Sequence, residues 1–101
     1  MIIKCSEYLY VNSDNVVAYK IDKTREYENL PFKYVIKGIS SESFIIEMGT
    51  LVSKLHAEEA LKELVIFLTK DKKYFDLSSF IKKLNETFEK AHEMMQEDEN
   101  A

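Results

Sequence analysis

Hydrophobic positions between residues 57 and 69 recur every three or four residues, which is the spacing of one face of an amphipathic helix. The apolar members of this stripe are Ala57, Ala60, Leu61, Leu64, Val65 and Leu68. Charged side chains take the opposite face, with acidic residues in the first turn, where the helix dipole favours negative charge. Ile66 and Phe67 carry apolar surface outside the stripe, so a second element is expected to cover that side. His56 is the expected cap, with Leu55 just before the helix and packed against Ala60.

Alternation of apolar and polar residues predicts four strands ahead of this helix. They are Met1–Val11, Val16–Ile21, Phe32–Ile39 and Phe44–Met48. The turn-forming residues 12–15 predict an antiparallel hairpin of the first two strands, and Ser6-Glu7 is expected either to interrupt the first strand or to form a bulge in it. Gly49-Thr50 either ends the last strand or forms a bulge that would let it run on to Val52. The residues expected to face the core are Val17, Tyr19, Ile21, Phe32, Tyr34, Ile36, Phe44 and Ile46.

A second helix is predicted over about residues 77–96, after a polar link, Thr69–Phe75, and with Asp76 or Ser78 as its cap. The resulting order is β-β-β-β-α-α. Strands first and helices last are typical of an α+β fold, here one four-stranded antiparallel sheet with two C-terminal helices packed on one face. The 101 residues are expected to form a single domain, with a β-sheet region over 1–52, a helical region over 55–97 and a frayed tail over 98–101.

Composition and charge narrow the classes of function. The formal net charge is −4, and all of it lies in residues 55–101, which disfavours non-specific binding to nucleic acid or anionic membranes. Cys5 is the only cysteine, so no intramolecular disulfide can form and a reducing compartment is favoured. The longest apolar run, Leu64–Leu68, is far shorter than the roughly 20 residues of a membrane-spanning helix. The N-terminus also lacks the apolar core of a signal peptide, and we therefore expect a cytoplasmic protein.

Motifs for catalysis are missing from the sequence: it has no glycine-rich phosphate loop, nucleophile elbow or metal-ligand spacing. The two histidines, His56 and His92, are 36 residues apart, and Cys5 is far from both in sequence, so a zinc site would lack ligands. Cys5 is expected to be a small buried hydrophobe. No catalytic, cofactor-binding or metal-binding residue is predicted and no small-molecule substrate is evident, so the protein is expected not to be an enzyme.

Five basic residues fall on or beside two of the predicted strands, where they could form a stripe next to tyrosines. This lysine stripe is Lys20, Lys23, Arg25, Lys33 and Lys37. Such a surface can bind single-stranded nucleic acid through charge and stacking. Lysines on the wet face and edges of a sheet also block aggregation. The acidic residues of the same region favour this second interpretation: Glu26, Glu28, Glu42 and Glu47.

The apolar residues of the second helix are spaced four, three, four, three and four, which is the 3.5-residue period of a coiled-coil seam. They are Leu77, Ile81, Leu84, Phe88, Ala91 and Met95, and Phe80 and Met94 widen the seam. A central helix of about 13 residues spans about 20 Å and a second of about 20 spans about 30 Å, so the last turns are expected to overhang by about 10 Å. The candidate protein interface is therefore Phe88, Ala91, Met94 and Met95. The alternative is a sheet that covers the overhang, or last turns that fray.

Three segments taken together, YLYVNSDNVVAYKID, FKYVIKG and EEALKELVIFL, resemble a loose class of small, mostly uncharacterised proteins of Gram-positive bacteria and their phages. In that class a short β-meander precedes a helix that begins with an EEA-type turn and ends in a leucine-rich stripe. The resemblance covers roughly residues 8–68, and the long second helix departs from its simplest form. It implies a bacterial or phage source and carries over no activity and no site residue.

The sequence therefore predicts a non-enzymatic protein–protein interaction module that binds a protein partner, or a second copy as a homodimer, through its C-terminal helix. One alternative is a small phage-type regulator or inhibitor of a nucleic-acid-handling machine, which could use the acidic stretch 86–99 as a decoy for phosphates. Another is a weak nucleic-acid binder that uses the lysine stripe. No cofactor and no membrane contact are expected.

Overall fold

The structure, a computed structural model, describes the backbone of residues 1–100 and the side chains of residues 1–94. The strands are β1 (Ile2–Lys4), β2 (Tyr10–Asn12), β3 (Val16–Thr24), β4 (Lys33–Ser40), β5 (Ile45–Leu51) and β6 (Tyr74–Asp76). The helices are α1 (Lys54–Thr69) and α2 (Leu77–Asn100), and a short 3₁₀ turn, Ser13–Asn15, joins β2 to β3. The predicted α+β class is confirmed.

The strands form two three-stranded sheets, so the predicted single four-stranded sheet is wrong. The small sheet has the order β2-β1-β6, and the large sheet, β3-β4-β5, is antiparallel throughout. The predicted hairpin with β3 does not form, because Asn12 caps the 3₁₀ turn by accepting the backbone N–H of Asp14 (3.0 Å) and the chain leaves one sheet for the other. β1 instead pairs with β2 across the interruption predicted at Ser6-Glu7. There the N–H of Cys5 donates to the carbonyl of Leu9 (2.9 Å).

The third strand of the small sheet comes from the end of the predicted polar link. β6 pairs in parallel with β1, and Phe75 lies opposite Ile3. The middle residue of each strand, Ile3, Val11 or Phe75, is buried in the core. A three-residue strand shows too little alternation to be recognised in a sequence, and the partner of β6 lies at the other end of the chain.

Three residues predicted to face the core from the large sheet are instead exposed: Val17, Phe32 and Phe44. The register of β3 and β4 shifts between Val16 and Ala18, and this bulge turns Val17 outward and Val16 onto the core. Phe32 and Phe44 lie in the loops just before β4 and β5. The other predicted residues lie in the core or pack against it: Tyr19, Ile21, Tyr34, Ile36 and Ile46.

A second bulge lies in β5, where the register with β4 shifts beside Met48. Of the two predicted alternatives the structure has the continuation past Gly49, and β5 ends at Leu51, one residue before the predicted Val52. Because the bulge changes the phase of the alternation, Met48 and Leu51 are both buried although they are three residues apart.

α1 begins earlier than predicted. Its cap is Ser53 and not His56, whose backbone N–H donates to the Ser53 hydroxyl oxygen (3.4 Å). Leu55 therefore lies within the helix and is exposed, and is not packed before it against Ala60. The fully buried face is Ala57, Ala60 and Leu64, whereas Val65, predicted to share it, is exposed.

α2 covers the flank of α1 and one side of the large sheet. A second element was expected to cover Phe67, and β6 is part of that cover. The ring centroids of Phe67 and Phe75 are 4.4 Å apart. Where α2 passes β5, the side-chain amide of Asn85 accepts the N–H of Val52 (3.3 Å) and donates to the carbonyl of Thr50 (3.2 Å). These two bonds imitate those of a neighbouring strand and hold α2 against β5.

Asp76 caps α2, which confirms the first of the two predicted caps. Its Oδ1 accepts the Ser78 hydroxyl (2.6 Å) and the Ser79 N–H (3.1 Å), and its Oδ2 accepts the Ser79 hydroxyl (2.9 Å). These bonds, that from Ser78 foremost, hold the pKa of Asp76 below its ordinary value. The pKa of Asp22 is lowered in the same direction, chiefly by Lys37.

We expect acid to destabilise the protein partly through this cap. Because the pKa of Asp76 is lower when folded, its stabilisation is complete above the unfolded value of about 3.9 and is lost as the pH falls through the folded value. Asp76→Asn keeps a good capping residue but cannot titrate. Its melting temperature should therefore fall less between about pH 4 and pH 2 than that of the wild type. Equal slopes for the two proteins would contradict this assignment, and Asp22→Asn gives the separate contribution of the second carboxylate.

Candidate functional site

The apolar face of α2 becomes exposed along the helix. Leu77, at its start, is buried in the core. Of the predicted interface, Phe88 is 38% exposed, Ala91 is exposed and Met94 is 65% exposed. The side chain of Met95, the fourth predicted member, lies outside the described residues. We call Phe88, Ala91 and Met94 the distal face.

The first turn of α1 lies beside the distal face. The ring of His56 meets that of Phe88 edge-on, with centroids 6.2 Å apart and planes at 85°. His92, one turn further along α2, stacks with Phe88 at 6.4 Å and 5°. These two rings orient Phe88 and leave part of it open. Leu55, next to His56, is exposed and adds apolar surface at this end of the helix pair.

Sequence reasoning missed the contribution of α1 to this surface, because it placed Leu55 before the helix and gave His56 a capping role. A signal was present in the pattern. Leu55 lies opposite the apolar stripe of α1, and a large apolar residue on the polar face of a helix is a candidate contact residue.

The lysine stripe is divided by the fold. Lys20 and Lys37 lie opposite each other on β3 and β4, and both contact a carboxylate oxygen of Asp22, at 3.4 and 2.9 Å. Lys37 is the larger cause of the lowered pKa of Asp22. The two lysines thus share one acidic partner and do not form an isolated positive patch.

The other members of the stripe lie nearer the opposite end of β3. Lys23 and Arg25 both lie over the ring of Phe32, at 3.9 and 4.5 Å from its centroid. Lys33 pairs with Thr24 at the last register position of β3 and β4. The five basic residues therefore form separate groups in the structure and not one open basic surface.

A cavity of about 480 Å³ lies between the loop that follows β3 and the outer face of the large sheet. Val35 forms part of its lining and is buried although it lies outside the main core. The charged side chains around it are balanced: Arg25, Lys33, Glu26 and Glu47. The volume suits a small ligand, but the residues lining it include no nucleophile paired with a base.

Cys5 is buried, as predicted. Burial raises the pKa of its thiol to about 11, and the thiol donates to the carbonyl of Ile3 at 3.8 Å. A thiol with so high a pKa is almost entirely protonated at neutral pH and is a poor nucleophile. Desolvation, with a smaller effect of Cys5, raises the pKa of the neighbouring Tyr19 in the same way.

Over the part of the chain that the structure describes, no three His, Cys, Asp or Glu side chains are placed so that they could hold a metal ion. Over the same residues, neither helix combines the length and apolar character that crossing a membrane requires. Comparison of the chain with models of protein families, with curated proteins and with solved structures finds no match in any of the three.

Proposed function

We propose that this protein is a non-enzymatic protein-binding module that works through the distal face of α2. The observation that carries the proposal is the exposure of Phe88 and Met94 on the same seam that buries Leu77 and Ile81 further back. A contiguous apolar strip of this kind usually marks a contact surface. Phe88 supplies an aromatic anchor already oriented by its neighbours, and methionine adapts to the shape of a partner.

The simplest partner is a second copy of the chain. α2 carries Lys82 and Lys83 in its first half, whereas residues 86–99 hold six acidic residues and one lysine. Two α2 helices packed antiparallel would place the basic half of each beside the acidic half of the other, and parallel packing would bring like charges together. The antiparallel pair is also closed by a two-fold axis, so association stops at the dimer.

The proposed cellular setting rests on other parts of the chain. We place the protein in a reducing cytoplasm, which suits a chain whose one cysteine is an unpaired, buried thiol. The resemblance of residues 8–68 to small proteins of Gram-positive bacteria and their phages supports a source of that kind.

The test of the proposal is molar mass by light scattering over a range of concentrations. We expect the molar mass of the wild type to rise from that of one chain towards that of two as the concentration increases. The double variant Phe88→Glu with Met94→Glu should remain monomeric, because an unpaired charge is costly to bury at the interface. Added salt should weaken the wild-type dimer, since it screens the opposed charges.

Phe44→Glu is the matched control. Phe44 is exposed, like Phe88, but lies in the loop before β5, away from the distal face. This variant should dimerise like the wild type. A wild type that stays monomeric at all concentrations and captures no protein through the distal face would contradict the proposal, as would a control that dissociates equally.

A further inference from the structure

The outer face of the small sheet carries exposed aromatic residues that the distal face does not use. The middle residue of each strand is buried, so the residues on either side of it point outward. These outward residues are Ile2, Lys4, Tyr10, Asn12, Tyr74 and Asp76. Tyr10 is 55% exposed and Tyr74 is 51% exposed, and Ile2, on the strand between them, is also exposed. We call Ile2, Lys4, Tyr10 and Tyr74 the tyrosine face.

We propose that the tyrosine face binds single-stranded nucleic acid. Tyr10 and Tyr74 stack on bases, and Lys4, Lys72 and Lys73 contact phosphates. The site is separate from the lysine stripe on the large sheet, and the inference is independent of the proposed protein-binding function.

The geometry of the sheet suits stacking. β2 and β6 lie on either side of β1, so the two tyrosines are on strands about 10 Å apart. Tyr10 aligns with Lys4 and Tyr74 aligns with Ile2, so the two are also offset along the strands. Each ring can therefore take its own base, and such stacking tolerates any sequence because every base has a π-face.

The local charge favours a polyanion over a protein partner. Lys72 and Lys73 are exposed immediately before Tyr74, and residues 70–83 hold five lysines and two aspartates. One of those acids, Asp76, lies opposite Lys4 on the outer face, and its carboxylate offsets part of the charge of that lysine. Five lysines and two aspartates still leave residues 70–83 with a net charge of +3.

The net negative charge of the chain does not oppose binding here, because it is concentrated elsewhere. The acidic stretch begins at Glu86, about 14 Å along α2 from its start, and Glu93 is about 24 Å along it. At about 0.1 M salt, charges separated by more than about 10 Å are largely screened from each other. The basic end of the molecule therefore acts on a ligand as a local positive surface.

The test is fluorescence anisotropy with labelled oligo-dT and oligo-rU of about 12 nucleotides, and with a duplex of the same length. Both single strands should bind at about 50 mM salt, and the duplex should bind more weakly because its bases are already stacked. Affinity should fall with salt on a log–log slope of about −2, which is about 0.7 for each of the three lysines.

Substitutions separate stacking from folding. Tyr10→Ala and Tyr74→Ala should each lower affinity about fivefold or more, whereas Tyr10→Phe and Tyr74→Phe should keep it, because phenylalanine retains the ring. Tyr27→Ala and Lys20→Ala are the controls, since Tyr27 is an exposed tyrosine and Lys20 a lysine of the large sheet. Both controls should bind like the wild type.

Three results would overturn the proposal. The first is no binding of either single strand at about 50 mM salt. The second is binding that the alanine variants leave unchanged, or that the controls lose equally. The third is a change in oligomeric state, and not in nucleic-acid affinity, when Tyr10 or Tyr74 is truncated, because that would identify the tyrosine face as a protein contact.

Discussion

Replacement of Leu64 by alanine is expected to lower the free energy of unfolding by about 2–5 kcal/mol. Leu64 is 0% exposed and belongs to the core that joins both sheets and both helices. The loss combines the transfer free energy of the deleted atoms with the cost of the cavity left behind, since the surrounding side chains are held by two layers and relax only in part. Urea denaturation followed by circular dichroism measures the change.

Val65→Ala is the matched control for this experiment. Val65 is the next residue of the same helix but is 45% exposed, so its truncation removes little buried surface. Alanine also has the higher helix propensity, and the variant should lie within about 0.5 kcal/mol of the wild type. A cost for Leu64→Ala as small as that of the control would mean that the α1 stripe does not face the core.

The elements that the sequence predicts well are those whose pattern is local and long. The stripe of α1 was identified because Ala57, Ala60 and Leu64 recur at helical spacing, and these residues are fully buried. Strands β3, β4 and β5 each show enough alternation to be recognised. The capping role of Asp76 also follows from local chemistry, since an acidic side chain before a helix accepts its free N–H groups.

The errors arise where pairing between distant segments decides the structure. A bulge changes the phase of a strand by one residue, so Val16 and Val17 exchange faces without any change in their own propensities, while Tyr19 and Ile21 keep the predicted face. β6 has three residues, and only its parallel pairing with β1 makes it a strand. The sequence could not predict two sheets in place of one, because the number of sheets depends on which strands the N-terminal segment pairs with.

The candidate sites also differ in whether they rest on a local pattern or on pairing between distant segments. The candidate interface of Phe88, Ala91, Met94 and Met95 could be predicted because its period of 3.5 residues is visible in α2 alone, and the side chains of the first three are exposed. The tyrosine face could not be predicted, because Tyr10 and Tyr74 come together only through the small sheet. The lysine stripe is the opposite case, because its residues are placed as the strands predict but do not form the expected open surface. Lys20 and Lys37 are neighbours, and Asp22, two residues from Lys20, binds both.

Gly49→Ala should be destabilising by about 1–3 kcal/mol, the usual cost of overpacking a core. α2 passes so close to β5 that a Cβ on residue 49 would overlap Cδ1, the tip of the Ile81 side chain, which is buried and would have to shift within the core. The backbone is not the cause, because Gly49 does not have a positive φ and alanine can adopt its conformation. The close packing of α2 on the large sheet therefore depends on a glycine at this position.

A double-mutant cycle with Ile81→Val tests this explanation directly. Valine lacks the Cδ1 atom, and the next nearest atom, Cγ1, lies at an ordinary contact distance of 3.7 Å from the added Cβ. Ile81→Val alone should cost about 0.5–1.5 kcal/mol. The double variant should cost no more than Ile81→Val alone, since the added methyl group refills part of the space and alanine loses less backbone entropy than glycine on folding. If the two single costs simply add in urea denaturation, then Ile81 is not what excludes a side chain at position 49, and the packing of α2 on β5 differs from that described.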